Sequence, residues 1–199
     1  MKSVTRSNGV DAARLATNVL APAPVASLLL AAVAWRSAPT AADALRWAAV
    51  AIVCAAVIPT LYIERAVRIR RLSDRRLTQR EQRPLPVLVG IVAVLAGLEL
   101  LALWKAPRDL LVLLLAMAVI LALALVVTAG WKISIHTSAL SGAAVIAALL
   151  FGWPWVTLGW LVALVGWARI RLGEHTRSQV FAGALLGATA AWAVYALVG

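Results

Sequence analysis

Residues 110–131 read LLVLLLAMAVILALALVVTAGW, from Leu110 to Trp131, without one charged side chain. A helix rises about 1.5 Å per residue, so a stretch of about 20 apolar residues crosses the hydrocarbon core of a bilayer. This segment meets that requirement, and its neighbours repeat it. Upstream, residues 84–104 carry only Glu99, and 47–63 and 15–35 carry no charge. Downstream, 178–199 is uncharged, and so is 133–168, which is too long for one crossing. Gly and Pro end helices, so Phe151-Gly152-Trp153-Pro154 divides that stretch into spans at about 137–151 and 154–168. The expectation is an all-α, polytopic transmembrane helix bundle of seven spans, or six if the first run is peripheral. Ala21-Pro22-Ala23-Pro24 kinks or delays that first run.

The composition agrees. Of 199 residues, 63% are apolar and 14% charged, with mean hydropathy +0.93. A soluble domain is about 45–50% apolar and about 25% charged, and a chain this small has too little interior for the excess. A water-soluble body is excluded, and 1–199 is expected to form a single membrane domain. Trp35, Trp104, Trp131, Trp153, Trp155 and Trp167 lie near run ends, where an interfacial aromatic belt forms. The single cysteine, Cys54, allows neither an intrachain disulfide nor a multi-cysteine metal site. The Ala/Arg-rich, Lys-poor composition suits a GC-rich bacterial genome, hence a bacterial plasma membrane.

The net charge is +11, from 19 Lys+Arg against 8 Asp+Glu. Alternating sides through seven spans places fifteen of the nineteen cations with the N-terminus, loop 64–83, the 131–136 turn and loop 169–177. Arg36, Arg46, Lys105 and Arg108 fall on the other side. The positive-inside rule makes the rich side cytoplasmic. Loop 64–83 alone has eight Arg, a density that also attracts anionic lipid headgroups. Nucleic acid is not an expected partner, because these cations sit beside lipid and no recognised binding fold accompanies them.

Both histidines fall on the cation-rich side. Lys132 and His136 share a face if that turn is helical, as do Arg171 and His175, and His175 and Gln179. Arginine holds phosphoryl oxygens in a planar fork, and a neutral histidine serves as nucleophile or proton carrier. Two histidines among arginines therefore make a phosphoryl-transfer set that needs no metal. Asp74 and Glu81 are expected to pair with surrounding arginines.

Three segments carry a family pattern. Arg76 is followed after six residues by Arg83-Pro84; then comes Ile133-Ser134-Ile135-His136; then Ala168-Arg169, five residues, His175, three residues, Gln179. Over about 76–187 the chain resembles the type-2 phosphatidic acid phosphatase superfamily, the membrane lipid phosphate phosphatases. That family has Lys, six residues, Arg-Pro; Pro-Ser-Gly-His; and Ser-Arg, five residues, His, three residues, Asp. Here Arg replaces the Lys, Ile133 and Ile135 replace the Pro and Gly, Ala168 replaces the Ser, and Gln179 replaces the Asp. Two spans separate successive motifs, an even number that returns each to the same side.

The resemblance implies hydrolysis of a phosphate monoester or diphosphate of a polyprenyl or glycerolipid through a phosphohistidine. His175 would be the nucleophile and His136 the general acid, with Gln179 orienting His175 through its amide oxygen. Arg76, Arg83, Arg169 and Ser134 would bind the phosphate, with no metal and no cofactor. The expected partners are a membrane lipid phosphate as substrate and a bilayer containing anionic lipids. The loss of the Asp charge raises an alternative, a catalytically weak or inactive protein that binds phospholipid or polyprenyl phosphate. An anionic-lipid transporter ranks third, because mid-membrane polar residues are nearly absent.

Overall fold

A computed structural model describes residues 2–199, with side chains from Gly9 onward. Lys2 and Arg6, two of the cations assigned to the rich side, lie outside the described side chains. Among the described residues every regular element is helical: α1 (Lys2–Val19), α2 (Pro22–Ser37), α3 (Ala41–Ile52), α4 (Ile58–Arg68), α5 (Pro84–Leu103), α6 (Arg108–Gly130), α7 (Ile135–Phe151), α8 (Gly159–Arg171) and α9 (Arg177–Val198).

Local chemistry sets the boundaries. Pro22 and Pro84 occupy first-turn positions, where a missing N–H costs nothing. Thr40 caps α3 by accepting from the Asp43 N–H at 3.1 Å. α3 and α4 run together through a π-turn at Val53–Val57 as one rod, Ala41–Arg68. Gly152, at φ 104°, stops α7 where the Gly-Trp-Pro sequence predicts, and a 3-10 segment Trp153–Leu158 leads into α8.

Among the described residues, four helices are long and apolar enough to cross a membrane: Ala41–Arg68, Arg80–Leu103, Arg108–Gly130 and Arg177–Val198. A fifth crossing results if Gly9–Val19 and Pro22–Ser37, bent by 41°, count as one span. The break falls at Leu20-Ala21, ahead of the prolines. The expected spans at 137–151 and 154–168 are shorter. α7 has 17 residues, and α8 has 13 because Pro154 spends the start of that run in 3-10 turns.

α6 packs against α2, α5, α7 and α9. Its Leu110 and Leu114 are fully buried with Leu30, Val33, Leu101 and Ile146. The outside is apolar too: Leu28, Val126 and Leu197 are each more than 70% exposed, which suits lipid rather than water. Trp35, Trp104, Trp131 and Trp153 are exposed at or near helix ends. α7 and α9 approach backbone to backbone through small residues. A Cβ on Gly183 would lie 2.6 Å from the Ser134 carbonyl oxygen, and one on Gly187 only 1.9 Å from that of Ser138.

The polar connections gather at the two ends of the bundle. At one end Arg36 pairs with Asp109 at 2.8 Å, and Arg108 donates to the Val198 carbonyl at 2.9 Å. At the other, loop 69–83, the 131–134 turn and the α8–α9 connection meet. Arg80 donates to the Gly130 carbonyl at 2.8 Å, and the Ser134 N–H to that of Gln179 at 3.3 Å.

Candidate functional site

The α8–α9 connection is the best-specified part of the site. α8 ends at Arg171, Leu172 is its C-cap, and Gly173 takes φ 70°. The Gly173 N–H donates to the Ile170 carbonyl at 2.9 Å and the Glu174 N–H to the Arg169 carbonyl at 3.1 Å. This is a Schellman turn, and it needs the left-handed glycine. It folds Glu174 back over the last turn of α8. His175 follows, its N–H also on the Arg169 carbonyl at 3.3 Å. Thr176 then opens α9 with a capping box: its hydroxyl accepts from the Gln179 N–H at 3.3 Å, and the Gln179 amide oxygen accepts from the Thr176 N–H at 3.1 Å. Helix end, turn and helix start leave little freedom for Glu174 and His175.

Gln179 is therefore occupied. Its amide oxygen serves Thr176 rather than the His175 ring, and His175 Nδ1 has no hydrogen-bond partner. The expected i,i+4 pairings also give way to helix boundaries. His175 precedes α9, Arg171 ends α8, and Lys132 precedes α7, so neither Arg171 and His175 nor Lys132 and His136 share one helix face. Lys132 instead donates to the Glu174 carbonyl at 2.8 Å.

Arg83 joins the three segments. It is 2% exposed and caps α5 just before Pro84. Its Nε donates to the Leu77 carbonyl at 2.8 Å, one Nη to the Ile133 carbonyl at 2.8 Å, and the other Nη lies 3.3 Å from His175 Nε2. A guanidinium only donates, so His175 Nε2 must be the acceptor, with the ring proton on Nδ1. His175 is thus a neutral imidazole with its Nε2 lone pair turned toward Arg83. Burial, then the nearby Arg169, Arg83 and Lys132 charges, push its pKa down to about 3. Burial, followed by repulsion from Arg83 and Arg169, also lowers the Lys132 pKa.

Arg169, in the last turn of α8, is 1% exposed. Its Nη1 pairs with a Glu174 carboxylate oxygen at 2.5 Å, and its Nε has no hydrogen-bond partner. Arg76 is more open. Its guanidinium reaches the other Glu174 oxygen at 3.3 Å and Asn18 Oδ1 at 3.2 Å. The turn that presents Arg76 is held by Asp74, whose carboxylate accepts from the Arg76 N–H at 2.7 Å and from the Thr78 hydroxyl at 3.1 Å. Asp74 thus shapes the loop by hydrogen bonds where an ion pair was expected. Glu81 does pair with Arg80, at 3.4 Å. Leu72 and Leu77, buried on Ala66, anchor the loop.

Ser134 is fully buried at the N-cap of α7, its hydroxyl accepting from the Thr137 N–H at 3.5 Å. It fixes the start of the helix that carries His136 in its first turn. His136 is half-buried and lines a cavity of about 410 Å³. The cavity's polar lining includes Arg76, Arg83, Arg169 and His136. Its walls are apolar: Ala26 and Leu29 of α2, Ala55 and Ala56 of the π-turn, Ala116 and Ile120 of α6, Ala139 and Gly142 of α7. Thr17 and Asn18, at the end of α1, close one flank. His175 and Ser134 do not line this cavity.

All seven sequence-predicted site residues thus belong to one end of the bundle, with Arg83 in contact with His175 and Gln179 turned away. The residue that sequence reasoning underweights is Glu174, whose position follows from the glycine before it and the capping box after it. Among the described residues no three His, Cys, Asp or Glu side chains gather closely enough to share a metal ion. Compared with family models, curated proteins and solved structures, the chain finds no match.

Proposed function

We propose that this protein is a membrane lipid phosphate phosphatase acting through a phosphohistidine at His175. One observation carries the reading: a buried, neutral His175 presents Nε2 at 3.3 Å to Arg83, which together with Arg76 and Arg169 lines a largely apolar cavity. A lipid could keep its chain among the alanines and leucines and offer only its phosphate to Arg76, Arg83 and Arg169. Arg169 supports this, because its buried Nε has no hydrogen-bond partner and suits an anion.

In the proposed reaction the substrate phosphate draws the Arg83 Nη away from His175 Nε2, and the freed lone pair forms a bond to phosphorus as the bond to the leaving oxygen breaks. His136 relays the proton of the monoprotonated phosphate to that oxygen. The negative charge shared by the equatorial oxygens is stabilised by preorganised guanidinium groups. Water then attacks phosphorus, His136 takes its proton, and the Nε2–phosphorus bond breaks to release phosphate. Ser134 acts by fixing the start of α7. The substrate is a polyprenyl or glycerolipid monoester or diphosphate in a bacterial plasma membrane, with anionic lipid around the arginine-rich loop. Seven crossings place this end on one face, with α7 and α8 as short or tilted spans. The charge bias assigns that face to the cytoplasm.

A second reading, binding of a lipid phosphate without efficient hydrolysis, is favoured by the unpartnered His175 Nδ1 and the engagement of Gln179 in its capping box. No carboxylate meets Nδ1 to stabilise the cationic intermediate from that side. Phosphate release from a panel of lipid phosphates, with EDTA present, separates the readings. Activity that disappears in His175→Ala supports the phosphatase. Binding without release by the wild type supports the second reading. Activity that survives in His175→Ala removes His175 as nucleophile, and strong inhibition by EDTA removes the metal-free mechanism.

A further inference from the structure

We propose that Glu174 is a positioning residue, a carboxylate clamp that joins Arg76 to Arg169 and holds both guanidinium groups ready for phosphate. The proposal rests on the lipid-phosphate reading above and adds a residue outside the motif positions that suggested it. Arg76 comes from the 69–83 loop and Arg169 from the end of α8, elements with no covalent reason to bring like charges together. Arg83 and Lys132 add two more cations, and both arginines nearest the interior, Arg83 and Arg169, are at most 2% exposed. Unpaired buried cations are costly. Among the described residues, Glu174 is the one carboxylate in ion-pair contact with this group, reaching Arg76 at 3.3 Å and Arg169 at 2.5 Å, with its side chain 10% exposed.

Its backbone is fixed independently of those charges. The N–H is held by the Schellman bond to Arg169, and the carbonyl receives Lys132 Nζ at 2.8 Å. The carboxylate therefore has a defined origin from which to reach both guanidinium groups. Arg76 and Arg169 line the cavity and Glu174 does not, so the clamp holds them from behind and leaves their cavity faces for a ligand. The remaining partner of Arg76 is Asn18, at 3.2 Å, so without Glu174 this arginine rests on one neutral contact at the edge of α1.

The sign of the effect separates a clamp from a mere nearby negative charge. Loss of a nearby negative charge alone strengthens anion binding; loss of a clamp weakens it. Orthovanadate, a phosphate analogue, is titrated calorimetrically into the detergent-solubilised full chain, using wild type, Glu174→Gln, Arg76→Gln and the double variant. We expect each single variant to weaken binding by about tenfold, and the double variant to be no worse than Arg76→Gln, because coupled residues are non-additive. Tighter binding by Glu174→Gln would overturn the proposal, as would losses that multiply in the double variant. If Glu174→Gln fails to fold, Glu174→Asp, which keeps the charge on a shorter arm, carries the same cycle with the same criteria. Absence of vanadate binding by the wild type would instead refute the phosphate-site reading itself.

Discussion

Arg83 places one Nη 3.3 Å from His175 Nε2 while its other nitrogens hold the carbonyls of Leu77 and Ile133. One side chain thereby fixes the loop, the turn before α7 and the histidine. A lysine has the charge but no planar fork, so it cannot make the three contacts together. Arg83→Lys is expected to lower phosphate release by about a hundredfold, the scale of losing one preorganised donor to a developing oxyanion. It should also lower the melting temperature, since the two carbonyls lose their partner. Retained activity with retained melting temperature would show that charge alone suffices there.

The His175 environment sets a pH dependence of stability. Its pKa falls from 6.5 in the unfolded chain to about 3 in the fold, through burial first and then the surrounding cations. Below pH 6.5 the unfolded chain takes up a proton that the folded site refuses until about pH 3. The stabilising contribution is thus complete above pH 6.5 and is lost as pH falls toward 3. The melting temperature in detergent should drop over that interval, and the drop should be smaller in His175→Gln. Equal slopes in the two proteins would refute the assignment.

The sequence displays its apolar runs, and residues 110–131 become α6 almost as read. The break at Gly152-Trp153-Pro154 is legible because glycine and proline act locally. The start of α5 is legible at Arg83-Pro84 for the same reason. The number of crossings is harder. The prolines at 22 and 24 announce the bend between α1 and α2 but not whether its 41° leaves one crossing, and hydropathy does not reveal that Trp153–Leu158 is spent in 3-10 turns. The site divides in the same way. Its cations and histidines stand out as residue types, but their pairings depend on where helices end. Spacing by four joins Arg171 to His175 only if α8 continues, and Gly173 at φ 70° stops it. The same turn delivers Glu174 to Arg169, a relationship between a helix end and a side chain that periodicity does not encode.

The α7–α9 seam has no room at Gly187. A Cβ there would lie 1.9 Å from the Ser138 carbonyl oxygen, and that oxygen belongs to a helix backbone that cannot step aside alone. Gly187→Ala is expected to destabilise the protein by about 1–3 kcal/mol or more, as overpacking does. Gly159→Ala is the control: nothing lies within 4 Å of its added Cβ, and alanine is favoured over glycine in a helix by about 1 kcal/mol. Thermal unfolding in detergent should separate the two clearly. Similar melting temperatures would mean that the seam is looser than the Gly187–Ser138 approach requires.

Gln179 distinguishes a capping role from a chemical one. Its amide oxygen accepts from the Thr176 N–H at 3.1 Å, and its own N–H meets the Thr176 hydroxyl at 3.3 Å. The backbone half of this box survives any side chain, but the amide half does not. Gln179→Ala should cost about 1 kcal/mol of stability, the usual scale for a lost cap, and should loosen the His175 backbone next to it. Gln179→Glu keeps an acceptor of the same length at the position where capping boxes commonly carry glutamate, so its melting temperature should match the wild type. Phosphate release should follow the same order, near wild type for the glutamate and reduced for the alanine. A glutamate variant that folds normally yet loses activity, or an alanine variant that loses activity at unchanged melting temperature, would show that the Gln179 amide takes part in the chemistry directly.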